Sequence, residues 1–100
     1  MRVIAKSTLV RFYTVHSDAK APLEAWHDVA IKANWQSPQD IKNLFASASI
    51  VGNNRVVFNI AGNKYRLVVE IAYQIGVIWV KFIGTHGAYD NINVENVNDY

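Results

Sequence analysis

Arg55, Lys64, Arg66 and Lys81 lie within one stretch of apolar alternation, and His86, Tyr89 and Asp90 follow where that alternation stops. These are side chains suited to phosphodiester chemistry. Cutting RNA by attack of its own 2′-hydroxyl needs a base for the 2′-OH proton and an acid for the leaving 5′-oxygen. It also needs cations to stabilise the charge that develops on the phosphate. Arg66 fits the last task best, because a planar guanidinium contacts two phosphate oxygens at once. Histidine as a residue type titrates near neutrality, so His86 can take or give a proton at cellular pH. Tyr89 can hydrogen-bond a phosphate or stack on a base, and Trp79 can stack as well.

Each of these residues has a plainer alternative. Arg66 could be a solvated strand residue paired with Glu70, two positions along the same face. His86 could be a structural histidine, and Tyr89 a packing aromatic that anchors the end of the chain. Asp90 could orient His86 or cap a turn at Ala88–Asn91. Trp79 could lie under the C-terminal segment. His16 and His27 fall in the first half and read as surface or helix-packing residues. With His86 they show no ligand spacing, so neither a metal nor another cofactor is expected.

The stretch that carries the cations reads as three antiparallel strands. Val56, Phe58 and Ile60 alternate with Val57 and Asn59, and Gly62-Asn63 turns the chain. Tyr65, Leu67, Val69 and Ile71 then share one parity, with Lys64, Arg66, Val68 and Glu70 on the other. After a turn at Gln74-Ile75-Gly76, Ile78, Val80 and Phe82 continue the apolar parity, opposite Trp79, Lys81 and Thr85. Alternate side chains point to opposite faces. One face is therefore apolar, and the other gathers Arg55, Lys64, Arg66 and Lys81, with Asn59 and Trp79 beside them. A phosphate ligand is the natural occupant of that face. Strict alternation sets His86 on the apolar parity, so it reaches the cations only if the strand bends at Gly84.

The first half reads as helical. Arg2-Val3-Ile4 could add a short strand to the sheet edge. Ser7 is placed to cap a helix to about His16, with Leu9, Phe12, Tyr13 and His16 on one stripe. Ser17-Asp18 ends it. Pro22 opens a second helix to about Asn34, with Leu23, Trp26, Ala30 and Ala33 inward. Ser37-Pro38 opens a short third helix with Ile41, Leu44 and Phe45 inward. Residues 47–51 fit a strand or a loop, and Gly52-Asn53-Asn54 marks a turn. From Gly87 onward the chain reads as a helical turn around Ala88–Asn91 and then a mobile end. Helices followed by strands imply an α+β fold, N-terminal helices packed on one face of a small antiparallel sheet, with the basic face uncovered.

Composition sets the outer limits. One hundred residues, 51% hydrophobic and 18% charged, make one domain spanning 1–100. Without Cys there are no disulfides and no thiolate metal sites. Arg2 and Lys6 precede no long apolar run, so no signal peptide or membrane span is expected, and a cytoplasmic protein is. Net charge is only +2, but its distribution is uneven. Glu70 is the one acid among the cations from Arg55 to Lys81, whereas Gly87 to Tyr100 carries Asp90, Glu95 and Asp99 and no Lys or Arg. A local basic face attracts phosphates without making the whole chain a strong nonspecific binder.

The runs FNIAGNKYRLV (58–68) and VKFIGTHGAYD (80–90), and the pairing of GNKYR with TH-x-x-YD within them, resemble the HigB branch of the RelE-like toxins of bacterial toxin–antitoxin systems. The resemblance is tight over the strands and looser over the helical half. It implies a RelE-like microbial RNase fold and an endoribonuclease that cleaves mRNA, with the ribosome as setting. It also implies a helix-turn-helix, HigA-like antitoxin as partner. On that footing Arg66, His86, Tyr89 and Lys81 are the expected catalytic set, and Lys64, Arg55, Trp79 and Asn59 the expected RNA-binding set. Two other readings stay open on residues alone. One is a non-catalytic RNA- or ribosome-binding module, which has no need of a proton carrier beside the phosphate. The other is an interaction domain whose basic face meets an acidic partner.

Overall fold

Periodicity in the first half is realised as helices that turn their apolar stripes onto a sheet built by the second half. A computed structural model describes residues 1–99. The order is β1 (Arg2–Ile4), α1 (Lys6–Val15), a 3₁₀ turn (Ser17–Ala19), α2 (Lys20–Lys32) and α3 (Pro38–Leu44). There follow β2 (Ser49–Val51), β3 (Arg55–Ile60), β4 (Tyr65–Ala72), β5 (Val77–Thr85) and α4 (His86–Tyr89). The fold class is α+β. Among the described residues no helix is long and apolar enough to cross a membrane.

Local starts and stops follow from the sequence, with shifts. α1 begins after Ala5, which has extended backbone, and Ser7 lies inside the helix rather than capping it. The 3₁₀ turn runs straight into α2, so that helix starts at Lys20 and Pro22 occupies its first turn. There the missing N–H costs nothing, because the first four N–H groups of a helix lack intrahelical partners. Pro38 opens α3, and the N–H of Gln36 donates to the Asp40 carboxylate at 2.9 Å across that start. Leu44, expected inward, is exposed instead.

The sheet has the order β1-β5-β4-β3-β2. β3 to β5 pair antiparallel, as alternation implied. β2, open between strand and loop in the sequence, adds antiparallel to β3, whereas β1 joins the edge parallel to β5, Val3 opposite Ile78. The sheet is therefore mixed. The route permits parallel pairing: α1 and α2 lie between β1 and the rest, and a crossover of that length can return in either sense. Leu9, Leu23, Trp26, Ala30 and Ile41 from the helices meet Val56, Phe58, Leu67, Val69, Ile71, Ile78 and Val80 in the main core. Phe58 is its aromatic centre, with the Trp26, Trp35 and Phe45 rings 5.1–6.3 Å away.

The second face is not bare. A register shift between Val68 and Val69 leaves Lys81 as an extra residue in β5, since Val68 faces Phe82 while Val69 faces Val80. Such a bulge reverses the parity beyond it. Phe82, expected in the main core, therefore crosses to the other face and packs with Val57 and Val68. The C-terminal segment, expected to be mobile, lies over this patch with Ile92, Val94 and Val97 against it.

Candidate functional site

Register divides the second face into three rows across β3, β4 and β5. Asn59, Arg66 and Gly84 form the first, Val57, Val68 and Phe82 the second, and Arg55, Glu70 and Trp79 the third. The outer rows are four positions apart along β4, roughly 13 Å at the usual rise per residue. The C-terminal segment covers the apolar middle row. The expected cations are thus separated rather than gathered.

Arg66 centres the first row. Arg66 is buried as a residue (8% exposed), and its guanidinium donates to the Asn63 backbone carbonyl at 3.1 Å and to Asn63 Oδ1 at 2.5 Å. Glu70 is not its partner. The Asn63 side chain, which reads in sequence as a turn former alone, holds the arginine in place. That is possible because Ala61 and Gly62 have φ of 54° and 67°, so the β3–β4 turn curls back toward the strand. Tyr89 sits over the same guanidinium, its ring centroid 6.0 Å from Cζ, at the outer limit of a cation–π contact.

His86 reaches this neighbourhood without the bend once required at Gly84. β5 simply ends at Thr85, and His86 opens α4, where the parity rule no longer applies. Thr85 Oγ1 accepts the Ala88 N–H at 3.1 Å, so Thr85 rather than Asp90 caps the turn. Asp90 Oδ2 lies 3.3 Å from His86 Nδ1, close enough to pair with a protonated ring, whose side chain is 48% exposed. Gly84 has a different task. A Cβ there would stand 2.5 Å from Phe82 Cζ, so the glycine lets the Phe82 ring lie flat over β5 beside Arg66.

The structure does not bring the remaining candidates to this point. Arg55 is buried (5% exposed) and donates to the Val94 and Val97 carbonyls at 3.0 and 2.5 Å. Its Nε faces Glu70 at 3.5 Å, an ion pair rather than a hydrogen bond. Arg55 therefore fastens the C-terminal segment instead of offering charge to solvent. Trp79 lies in that same distant row. Lys81 is half-buried at the bulge, with Nζ 3.3 Å from Asn98 Oδ1. Asn59 is exposed directly opposite Arg66 and does belong to the site. Lys64 precedes β4 and turns to the helical layer, where its ammonium meets the Asp18 carboxylate. That carboxylate also accepts the Tyr65 hydroxyl at 2.5 Å. The bonds from Lys64 and then Tyr65 hold Asp18 below its ordinary 3.8, and the bond to Asp18 raises Lys64 above 10.5. Bonding to Asp18, then burial, raises Tyr65 above 10.0. Sequence spacing gave no sign of Asp18, because its partners lie far along the chain.

A protein-family comparison matches residues 19–92 to HigB_toxin, described as the RelE-like toxic component of a toxin-antitoxin system. No curated protein matches the chain. The matched span runs from the 3₁₀ turn through α4, so it includes the hairpin with Asn63 and Arg66 and the turn with His86 and Tyr89. With most of its length matched, the chain belongs to the HigB toxin family, RelE-like toxic components that are paired with an antitoxin.

Proposed function

We propose that residues 1–100 act as one cytoplasmic toxin domain that cleaves mRNA on the ribosome and is held in check by a helix-turn-helix, HigA-like antitoxin. Arg66 contacts the non-bridging oxygens of the scissile phosphate. His86 takes the 2′-OH proton, the 2′-oxygen attacks phosphorus, and the bond to the 5′-oxygen breaks as Tyr89 supplies a proton. The products are a 2′,3′-cyclic phosphate and a free 5′-hydroxyl. Asn59, exposed opposite Arg66, contacts the flanking backbone, and Lys81 lies further along the same face. The modest net charge fits this reading, since a ribosome can present a substrate that the free protein binds weakly.

One observation carries the proposal: a guanidinium held by Asn63, with Tyr89 over it, stands beside a turn whose exposed histidine has the Asp90 carboxylate 3.3 Å away. The test is expression of the chain alone, followed by mapping of mRNA ends and by cleavage on ribosomes loaded with a defined message. Growth arrest with cyclic-phosphate ends inside coding regions is expected. Undisturbed growth at verified protein levels removes the toxin activity. Arrest with intact messages instead favours a non-catalytic ribosome binder, for which the burial of Arg66 is the supporting feature.

A further inference from the structure

Asp18 stands apart from every residue assigned above, on the 3₁₀ turn between α1 and α2 and one position before the matched family span. Its carboxylate nevertheless takes both the Lys64 ammonium and the Tyr65 hydroxyl. These two residues sit in the middle of the segment that builds the site. On one side, Asn63 holds the Arg66 guanidinium. On the other, the Lys64 carbonyl accepts the His86 N–H at 3.0 Å, and Tyr65 pairs with Thr85, the cap of α4. Residues 63–66 are thus a junction that touches Arg66, His86 and the α4 cap together.

We infer that Asp18 is a positioning residue, which clamps this junction to the helical layer and so fixes Arg66 relative to His86. Without it, the junction keeps its two strands and the packing of the Tyr65 ring but loses its polar tie to the helical layer. Tyr65 is additionally enclosed by the Phe12 ring at 5.2 Å and the His16 ring at 5.5 Å, both from the α1 end. That packing keeps β4 in place when the carboxylate is altered, so loss of the clamp should not unfold the protein. Exposed ion pairs add little to stability, and this one is open to solvent. Its value lies in geometry. Misplacement of a catalytic group by about 1 Å costs on the order of a hundredfold in rate.

This inference rests on the mRNA-cleaving reading for its rate measurement but not for its structural one. Wild type, Asp18→Asn and Asp18→Ala are compared in two ways. Single-turnover cleavage on loaded ribosomes gives the rate and the apparent affinity separately, and amide hydrogen exchange reports the His86 N–H. Asp18→Asn keeps an acceptor for Tyr65 but loses the charge that holds Lys64, and Asp18→Ala loses both. We expect the cleavage step to fall about tenfold in Asp18→Asn and nearer a hundredfold in Asp18→Ala, with affinity unchanged. Exchange at His86 should quicken in the same order while Val56, Phe58 and Val69 stay protected. Unchanged exchange at His86 overturns the clamp. So does faster exchange with wild-type cleavage, or cleavage faster than wild type, which would make Asp18 a brake on Lys64. If the wild type cuts nothing, the reading under Proposed function fails, and exchange at His86 alone decides the clamp.

Discussion

Arg66 is held too closely to be an ordinary surface cation and too near the surface to be a core residue. Arg66→Ala should lower cleavage about a hundredfold or more, the usual effect of removing a positioned charge from a charged transition state. It should also cost about 1–2 kcal/mol in unfolding free energy, because the Asn63 bonds hold the turn. Single-turnover rates and a denaturant midpoint measured together separate the two effects. A large stability loss without a rate effect would make Arg66 a fastener like Arg55. For His86 the informative variable is pH. Asp18 is depressed below 3.8, so its contribution is present above that value and lost as pH falls through the folded pKa. Lys64 and Tyr65 are raised, so theirs is present below 10.5 and 10.0 and lost as pH rises through the folded pKa. The charges of Asp18, Lys64 and Tyr65 are therefore constant from about pH 5 to 9. Any pH dependence of cleavage in that range should vanish, with most of the rate, in His86→Gln. A pH profile that survives His86→Gln would put the proton elsewhere. The nature of these residues was legible in the sequence, but their partners were not. Asn63 sits close to Arg66 along the chain, yet only the fold shows that it holds the guanidinium, while for Asp90 the sequence offered His86 as one of two readings.

At the scale of elements, alternation located β3, β4 and β5 and even the short β1, because each buries one parity against the helices. It failed at the bulge. A single extra residue at Lys81 exchanges faces for everything beyond it, and no local signal marks it, since Phe82 is apolar on either face. The C-terminal segment failed for a related reason. Ile92, Val94 and Val97 have no helical period and only broken alternation, so the segment reads as polar chain until a hydrophobic patch is supplied beneath it. Once it docks, the segment is well fastened. Asn53 Nδ2 donates to the Glu95 carbonyl at 2.9 Å, the Asp99 N–H donates to the Lys81 carbonyl at 3.0 Å, and Gly52 leaves room for the Glu95 carboxylate. Arg55→Ala should then cost about 3 kcal/mol, because it leaves the Val94 and Val97 carbonyls and Glu70 without their cation. Gly84→Ala should cost about 1–3 kcal/mol by driving Phe82 off its seat. Thermal melts read both, and near-native stability in Arg55→Ala would show that the segment holds without its clamp.

Across the whole molecule, the α+β class and the helical layer followed from the order of patterns, whereas the parallel edge did not. Nothing local distinguishes Arg2–Ile4 joining β5 from the same residues joining β2. That edge bears on how the chain assembles. The β3–β4 and β4–β5 pairs close short turns, but β1 reaches β5 only across about three quarters of the sequence. Closing so long a loop costs about 2–3 kcal/mol more in chain entropy than closing a hairpin turn. The meander therefore belongs to the folding nucleus, and β1 docks after the barrier. Val69→Ala should slow refolding with a φ-value well above 0.5, while Val3→Ala should speed unfolding with a φ-value near zero. A high value at Val3 would mean that the edge forms early. In the expected order, the hairpin that presents Arg66 is in register before the N-terminal strand has found its place. Transient opening of the folded protein then starts at the edge furthest from β3 and leaves the Asn63–Arg66 turn intact.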